Sequence, residues 1–440
     1  MIKTIINAFK IKEVRERLLF TLAMLFIIRL GCQLPTPGVN RSFFSDWFAQ
    51  QTGDAFNFFD AFTGGSLEKF SIFALNITPY ITSSIIMQLL TIAIPKLEEM
   101  NKDEEGRKKI ASITRYVTIA LALIEATAMA IGFGKKGLLD AANYTPINIV
   151  TIVVALTAGS AFLMWVGERI NEKGVGNGIS IVLVINIISR MPSDCAMLYT
   201  QFIASADNVG KGVVAAIIIL AIIILTIVLV VLLNGGVRKI PVQYAKKVQG
   251  NRMIGGNNTH IPLRVNTAGV IPIIFASSLM QFPVVICQLF GVTTGTGVGS
   301  KILMGLQSNN WFKPEQMIYT IGFGVYVLLV IFFAYFYTSI TFNPMLISDN
   351  MKKSGGFIPG IRPGKPTTEY LTSVLNYIIF MGAVGLILVA VIPILCSSLF
   401  NASVSFGGTS LIIIVSVVLE TMKQVETMML ERNYKGFLNA

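Results

Sequence analysis

Residues 213–233 read VVAAIIILAIIILTIVLVVLL, apolar throughout except for Thr226. As a helix rising about 1.5 Å per residue, a stretch of this length crosses the ~30 Å hydrocarbon layer of a bilayer. It is also too long for the apolar core of a secretory signal. Composition agrees: 53% of the residues are hydrophobic and 13% are charged, about half the charged share of soluble domains. A chain of 440 residues with this balance reads as a polytopic membrane protein.

Ten apolar stretches follow one another, near 18–37, 72–94, 112–134, 147–167, 178–197, 213–234, 266–291, 316–342, 370–397 and 409–429, the second and fifth interrupted or short. The sequence before them, MIKTIINAFKIKEVRERLL, lacks a cleavage site and reads as an amphipathic interfacial helix. With the N-terminus in the cytosol and the segments alternating, most of the 35 basic residues fall on the cytosolic side. The positive-inside rule therefore predicts both termini in the cytosol. Ten segments divide into five and five, and an odd number per half forces the halves into opposite orientations. The expected halves are 1–197 and 198–440.

Two cytosolic loops are long and basic. GGVRKIPVQYAKKVQGNRMIGGNNTHIPLRV (235–265) alternates Ile, Val and Tyr with polar residues and predicts a projecting hairpin. The second (343–370) carries the Gly and Pro that turns require. Such a surface serves topology alone, or docks ribosomal RNA or an acidic protein.

Chemistry-bearing motifs are sparse. Cys32, Cys195, Cys287 and Cys396 include no C-x-x-C, and His260 is the single histidine, so neither a metal site nor a disulfide framework is indicated. No Walker A, H-E-x-x-H or G-x-S-x-G is present. No cofactor is expected, and an enzyme reading has no support.

The second segment is the informative one. FSIFALNITPYITSSIIMQLL (70–90) sets Asn76, Thr78, Pro79, Thr82, Ser83 and Ser84 where lipid offers no hydrogen bonds. Pro79 lacks an N–H and predicts a kink or helix end near 75–78. One reading is a kinked span whose hydroxyls bond its own carbonyls. The other is a broken segment, with a short half entering from outside and a second half running from about Pro79 to Ile94. Ile77, Ile81 and Ile85 share a face. That face is a packing stripe or, beside a broken helix, a hydrophobic constriction. Glu125, within the apolar LALIEATAMA, faces protein or water as packing or as a polar latch.

The stretches GGSLEKFSIFALNITPYITSSIIMQLL, WVGERINEKGVGNGISIVL, IPVQYAKKVQG, THIPLRVNTAGVIPIIFASSL, NPMLISDNMKKSGGFIPGIRPGKPT and FGGTSLIIIV resemble the SecY/Sec61 alpha family of protein-translocation channels. The resemblance covers nearly the whole chain. It implies an all-α fold of ten transmembrane helices, in two inverted five-helix halves around an hourglass pore. The activity it implies is passive: unfolded secretory chains pass through the centre, and hydrophobic segments leave sideways into lipid. By motif, Ile77, Ile81, Ile179, Leu183, Ile274 and Ile413 match a pore ring. Residues from about 54 to 70, including Phe62, Thr63, Gly64, Gly65, Ser66 and Leu67, match a plug. Thr82, Ile85, Glu125, Asn266 and Val270 match a lateral gate. Lys246, Lys247, Arg252 and Arg362 match the loops offered to a motor or ribosome. The implied partners are SecE, SecG, the SecA ATPase, ribosomes, secretory preproteins with their signal sequences, and membrane lipid. Specific DNA binding is not implied, and the implied location is the bacterial cytoplasmic membrane. The family often has glycine where Asn76 stands. A competing class, an inverted-repeat secondary transporter of a small solute, would need clustered polar groups at the midplane, where the matched positions here are aliphatic.

Overall fold

The computed structural model describes residues 2–40, 63–134, 145–204, 209–244, 247–249, 252–254, 258–289, 298–307, 310–312, 318–400 and 408–438. Helices dominate. In chain order they are α1 (Ile2–Lys10), α2 (Lys12–Gly31), α3 (Thr78–Ala93), α4 (Pro95–Lys102), α5 (Glu104–Phe133), α6 (Pro146–Lys173) and α7 (Gly178–Leu198). After a π-helical turn (Tyr199–Ala204) come α8 (Val209–Gly235), α9 (Ile271–Leu289), α10 (Val298–Leu306), α11 (Ile321–Thr341), α12 (Pro344–Lys353), α13 (Lys365–Phe400) and α14 (Gly408–Leu438).

By length and apolarity, six helical stretches among the described residues qualify as membrane spans, and a seventh if one bent pair counts as one. The bent pair is α3 with α4, which meet at 107°. Its cause is local. Ile94 precedes Pro95 and takes an extended conformation (ψ 110°), because the proline ring bars the helical region to the residue before it. The α4 sequence, PKLEEMNK, is polar, so the chain leaves the apolar layer at this elbow. The span around α8 is the least covered, with 11% of it buried by protein.

Packing gathers α2, α3, α5, α6 and α7 into one group and α8, α9, α11, α13 and α14 into another. The groups meet along two lines. On one, α9 touches α3 and α5; on the other, α14 touches α7 and α2. The joint between α6 and α7, in the stretch NEKGVGNG, is fixed by polar contacts. Asn177 Oδ1 caps α7 by accepting from the N–H groups of Ile179 and Ser180. The Gly176 N–H donates to Gln424 Oε1 on α14 (2.7 Å), and the Val175 N–H donates to Thr21 Oγ1 on α2 (3.1 Å). Gly176 has φ +83°, which a side chain rarely adopts.

The expected hairpin in 235–265 is present. Strand β1 (Val237–Tyr244) pairs antiparallel with β4 (Asn258–Arg264), and the short strands β2 (Lys247–Gln249) and β3 (Arg252–Ile254) pair beyond them. The sheet also takes in β5 (Gly356–Phe357) from the second basic loop, on the other side of β1. Ile240, Val242 and Leu263 from the hairpin share an apolar core with Met351, Ile358, Leu371, Val374 and Ile378. The two basic loops therefore form one platform with its own core, seated on α12 and the start of α13.

Candidate functional site

The second apolar segment is broken. Residues 66–70 and 72–77 run as turns, and regular helix begins only at Thr78. Pro79 sits in the first turn of α3, where its missing N–H has no carbonyl to bond in any case. Ahead of it Asn76 takes a left-handed conformation, φ +50°. The expected short entering half is thus a chain of turns over 66–77. Its apolar residues Leu67, Phe70, Ala74 and Leu75 pack on Ala122, Ala126, Met129, Ala130 and Phe133 of α5 and on Ile152 and Leu156 of α6.

The hydroxyls after the proline divide their work. Thr82 Oγ1 donates to the Thr78 carbonyl of its own helix (3.1 Å). Ser83 is fully buried; its Oγ lies 2.6 Å from Thr118 Oγ1 and donates to the Thr114 carbonyl (3.2 Å). Those bonds tie α3 to α5. Of the polar face seen in the sequence, Ser83 thus serves a helix–helix seam, while Thr82 and Ser84 bond within α3.

The isoleucine stripe faces elsewhere. Ile77 is fully buried, and Ile81 and Ile85 are 8% and 5% exposed. They belong to one contiguous apolar cluster with Leu183 of α7, Val270 and Ile274 at the start of α9, and Ile413 of α14, and half-buried Ile179 packs against it. Leu183, Ile274 and Ile413 are each 8% exposed or less. All six matched ring positions thus belong to or pack on this one large apolar cluster, from four helices, two in each packing group, and each is aliphatic. Such side chains pack on one another or around a guest without demanding a fixed hydrogen bond, and an empty aliphatic constriction dewets and resists ions.

The other matched positions divide. Thr63, Ser66 and Leu67 are buried and Gly64 and Gly65 have positive φ (68° and 78°); Phe62 lies outside the described residues. Asn266 is buried, but its amide turns to α8, where Nδ2 donates to Asn234 Oδ1 (2.7 Å). Asn234 Nδ2 in turn donates to Ser416 Oγ of α14 (2.7 Å). Glu125 sits on α5, which touches α9; its Oε1 is buried and meets no hydrogen-bond donor among the described residues. Lys247 and Arg252 stand on β2 and β3, and Lys246 lies outside the described residues. Arg362 is exposed, on a turn between Gly360 (φ +84°) and Gly364 (φ +101°). Thr367 Oγ1 closes that turn on the Arg362 carbonyl (2.8 Å), and Ser348 Oγ closes it on the Gly364 carbonyl (2.9 Å).

Sequence reading passed over the far half of α7. Beyond Ile179 and Leu183 the same helix carries Asn186, Arg190 and Asp194, and all three meet other polar groups. Arg190 approaches Glu68 (3.9 Å) and Asp194 (3.8 Å). Asn186 Nδ2 donates to Asn76 Oδ1 (3.0 Å). The available signal was the spacing of these polar residues, four apart along one face of the helix.

A large apolar cluster shared by two helix groups, with a turn-rich segment packed beside it, sits in a mostly helical chain with at least six helices long and apolar enough to cross a membrane among the described residues. A model of the SecY family matches residues 71–422. The chain is 43% identical over 445 residues to the protein translocase subunit SecY of Halalkalibacterium halodurans, with 100% of each chain covered. It is 40% identical over 462 residues to that of Mycobacterium bovis, again with 100% of each covered. The chain belongs to the SecY family. Its fold is similar to a solved structure described as a protein conducting channel (TM-score 0.65, 17% identity, 94% of this chain and 92% of that one). A second similar structure concerns the SecY plug domain, described as stabilising the closed state and maintaining a membrane seal (TM-score 0.61, 18% identity, 94% and 92% covered). A third is Sec61 in a canine ribosome–channel complex (TM-score 0.61, 17% identity, 94% and 92% covered).

Proposed function

We propose that this chain is the central channel subunit of a bacterial protein translocase, passing unfolded secretory chains across the cytoplasmic membrane and releasing hydrophobic segments sideways into lipid. The carrying observation is that Ile77, Ile81, Leu183, Ile274 and Ile413 belong to one apolar cluster and Ile179 packs against it, in a chain of this family. In this reading those side chains are the pore ring, and ten spans in two inverted halves, 1–197 and 198–440, form an hourglass around them. The plug is the segment from about 54 to 70, including Phe62, Thr63, Gly64, Gly65, Ser66 and Leu67. A lateral gate opens where α9 meets α3 and α5, lined by Thr82, Ile85, Glu125, Asn266 and Val270.

No nucleotide motif is present in the sequence, so the work comes from partners: the SecA ATPase, a translating ribosome or the membrane potential. The basic platform is their dock, with Lys246, Lys247 and Arg252 contributing charge and Arg362 offering a bidentate contact to a carboxylate. SecE and SecG complete the complex, and both termini lie in the cytosol. The solute-transporter alternative needs polar groups at the matched central positions, and those six are aliphatic. Reconstituting the chain with SecE and SecA and adding ATP tests the reading. Accumulation of a protease-protected preprotein is the expected result; its absence, with a related translocase active in the same assay, overturns it.

A further inference from the structure

We propose that Asn76 and Asn186 form an amide clasp that positions the closing segment against the pore ring, and so sets how readily the channel opens. The proposal rests on the reading of the turn-rich segment as a plug. Asn76 immediately precedes Ile77. Its side chain accepts from Asn186 Nδ2 (3.0 Å), and its carbonyl accepts from Ser160 Oγ of α6 (3.1 Å). Both asparagines are 1% exposed. Cys32, at the end of α2, reaches Asn186 Oδ1 from its thiol (3.9 Å). Four separate parts of the chain thus meet at one buried polar point.

Two further observations tie this point to closure. First, Gly64 lies directly against Asn186. A Cβ added there would come within 2.9 Å of the Asn186 Cα and carbonyl oxygen, and within 3.0 Å of Arg29 Nη1, which donates to the Gly64 carbonyl (3.4 Å). One residue of α7 therefore lies against the segment near both of its described ends: its backbone packs beside Gly64 and its amide bonds Asn76. Second, Asn76 takes a left-handed backbone, which asparagine adopts more readily than most side-chain-bearing residues, so the turn that ends at Ile77 is built on this residue. Displacing the residues up to Phe70 withdraws Gly64 from Asn186 and pulls on the turns that end at the amide pair, whose groups, once parted, are solvated only if water or a guest chain fills the space. Farther along α7, Arg190 approaches Glu68 of the same segment (3.9 Å).

The pair thus acts as a positioning element with a threshold, distinct from the greasy ring that makes the seal. Asn76→Gly removes the amide while keeping a backbone that favours φ near +50°. Asn186→Leu removes the partner at similar volume. Each is to be reconstituted as the full chain with its SecE partner, and read by iodide efflux from vesicles and by SecA-driven export of a normal and a weakened signal sequence. Each single variant is expected to raise resting efflux about tenfold, equivalent to about 1.4 kcal/mol, and to export the weakened signal better. Export with the normal signal should remain at the wild-type level. The double variant should leak no more than the worse single one, because both remove the same bond. Additive leaks, or single variants as tight as wild type, overturn the clasp. A wild-type protein that exports nothing overturns the translocase reading itself, and the two failures are separable because efflux needs no preprotein.

Discussion

Ile77 offers a sharp separation of volume from polarity at the waist. It is fully buried in the central cluster, at the residue that caps α3. Ile77→Val removes one methyl group, and such a change in a packed core costs about 0.5–1.5 kcal/mol. Ile77→Thr has nearly the shape of the valine variant but adds a hydroxyl. Buried against aliphatic neighbours without a partner, that hydroxyl costs about 1–3 kcal/mol more. The extra cost falls on the closed state, because an open waist filled by water or a peptide solvates the hydroxyl. The threonine variant should therefore hold an open fraction roughly five to a hundredfold above the valine variant, at about 1.4 kcal/mol per decade. Iodide efflux from vesicles carrying each variant gives the ratio directly, and thermal unfolding of the detergent-solubilised complexes checks that both fold. Equal leaks in the two variants would show that packing volume sets the seal and that no dewetted constriction exists at Ile77. A threonine hydroxyl that turns back to its own backbone would shrink the ratio toward its lower bound.

Other consequences concern single residues. Glu125→Leu removes a buried carboxyl on the helix that meets α9 and should shift the hydrophobicity threshold across a graded set of signal sequences; unchanged sorting rejects a gate role. Arg362→Lys should impair SecA-driven export of a preprotein while the complex still assembles, since lysine lacks the fork that grips a carboxylate; normal export refutes the assignment. Gly178→Ala places a Cβ against the Gly167 carbonyl oxygen at the α6–α7 joint, so stability should fall by about 1–3 kcal/mol, seen as a lower melting temperature of the purified complex.

Particular residues show how much of this was legible in the chain. Pro79 acts through covalent geometry, so a disturbance near 75–78 was legible, but not whether it is a kink or a break; the elbow at Ile94 comes from Pro95 by the same geometry, but only the structure places it. The alternation in 237–244 and 258–264 likewise predicts the hairpin. The destinations of polar side chains were not legible. Nothing local says that Ser83 turns to Thr118 while Ile81, two residues earlier, joins the waist. Nor does a local pattern say that Asn266 bonds Asn234 across to another helix. The shared sheet of the two basic loops was hidden because β5 contributes only two residues, too few to carry any periodicity. Asn186 and Arg190 matter through a segment more than a hundred positions away, a pairing that only the fold creates.

A translocating chain is expected to pass beside Ile77, Ile81, Ile274 and Ile413. A photo-crosslinking residue can replace Ile77, Ile81, Ile274 or Ile413 in turn, with an export substrate arrested halfway. Ile217 and Leu328, which are 61% and 70% exposed on the outer helix faces, serve as references. The arrested chain should crosslink at all four waist positions and at neither outer one. Crosslinks at the outer positions, or none at the waist while export proceeds, would contradict the account.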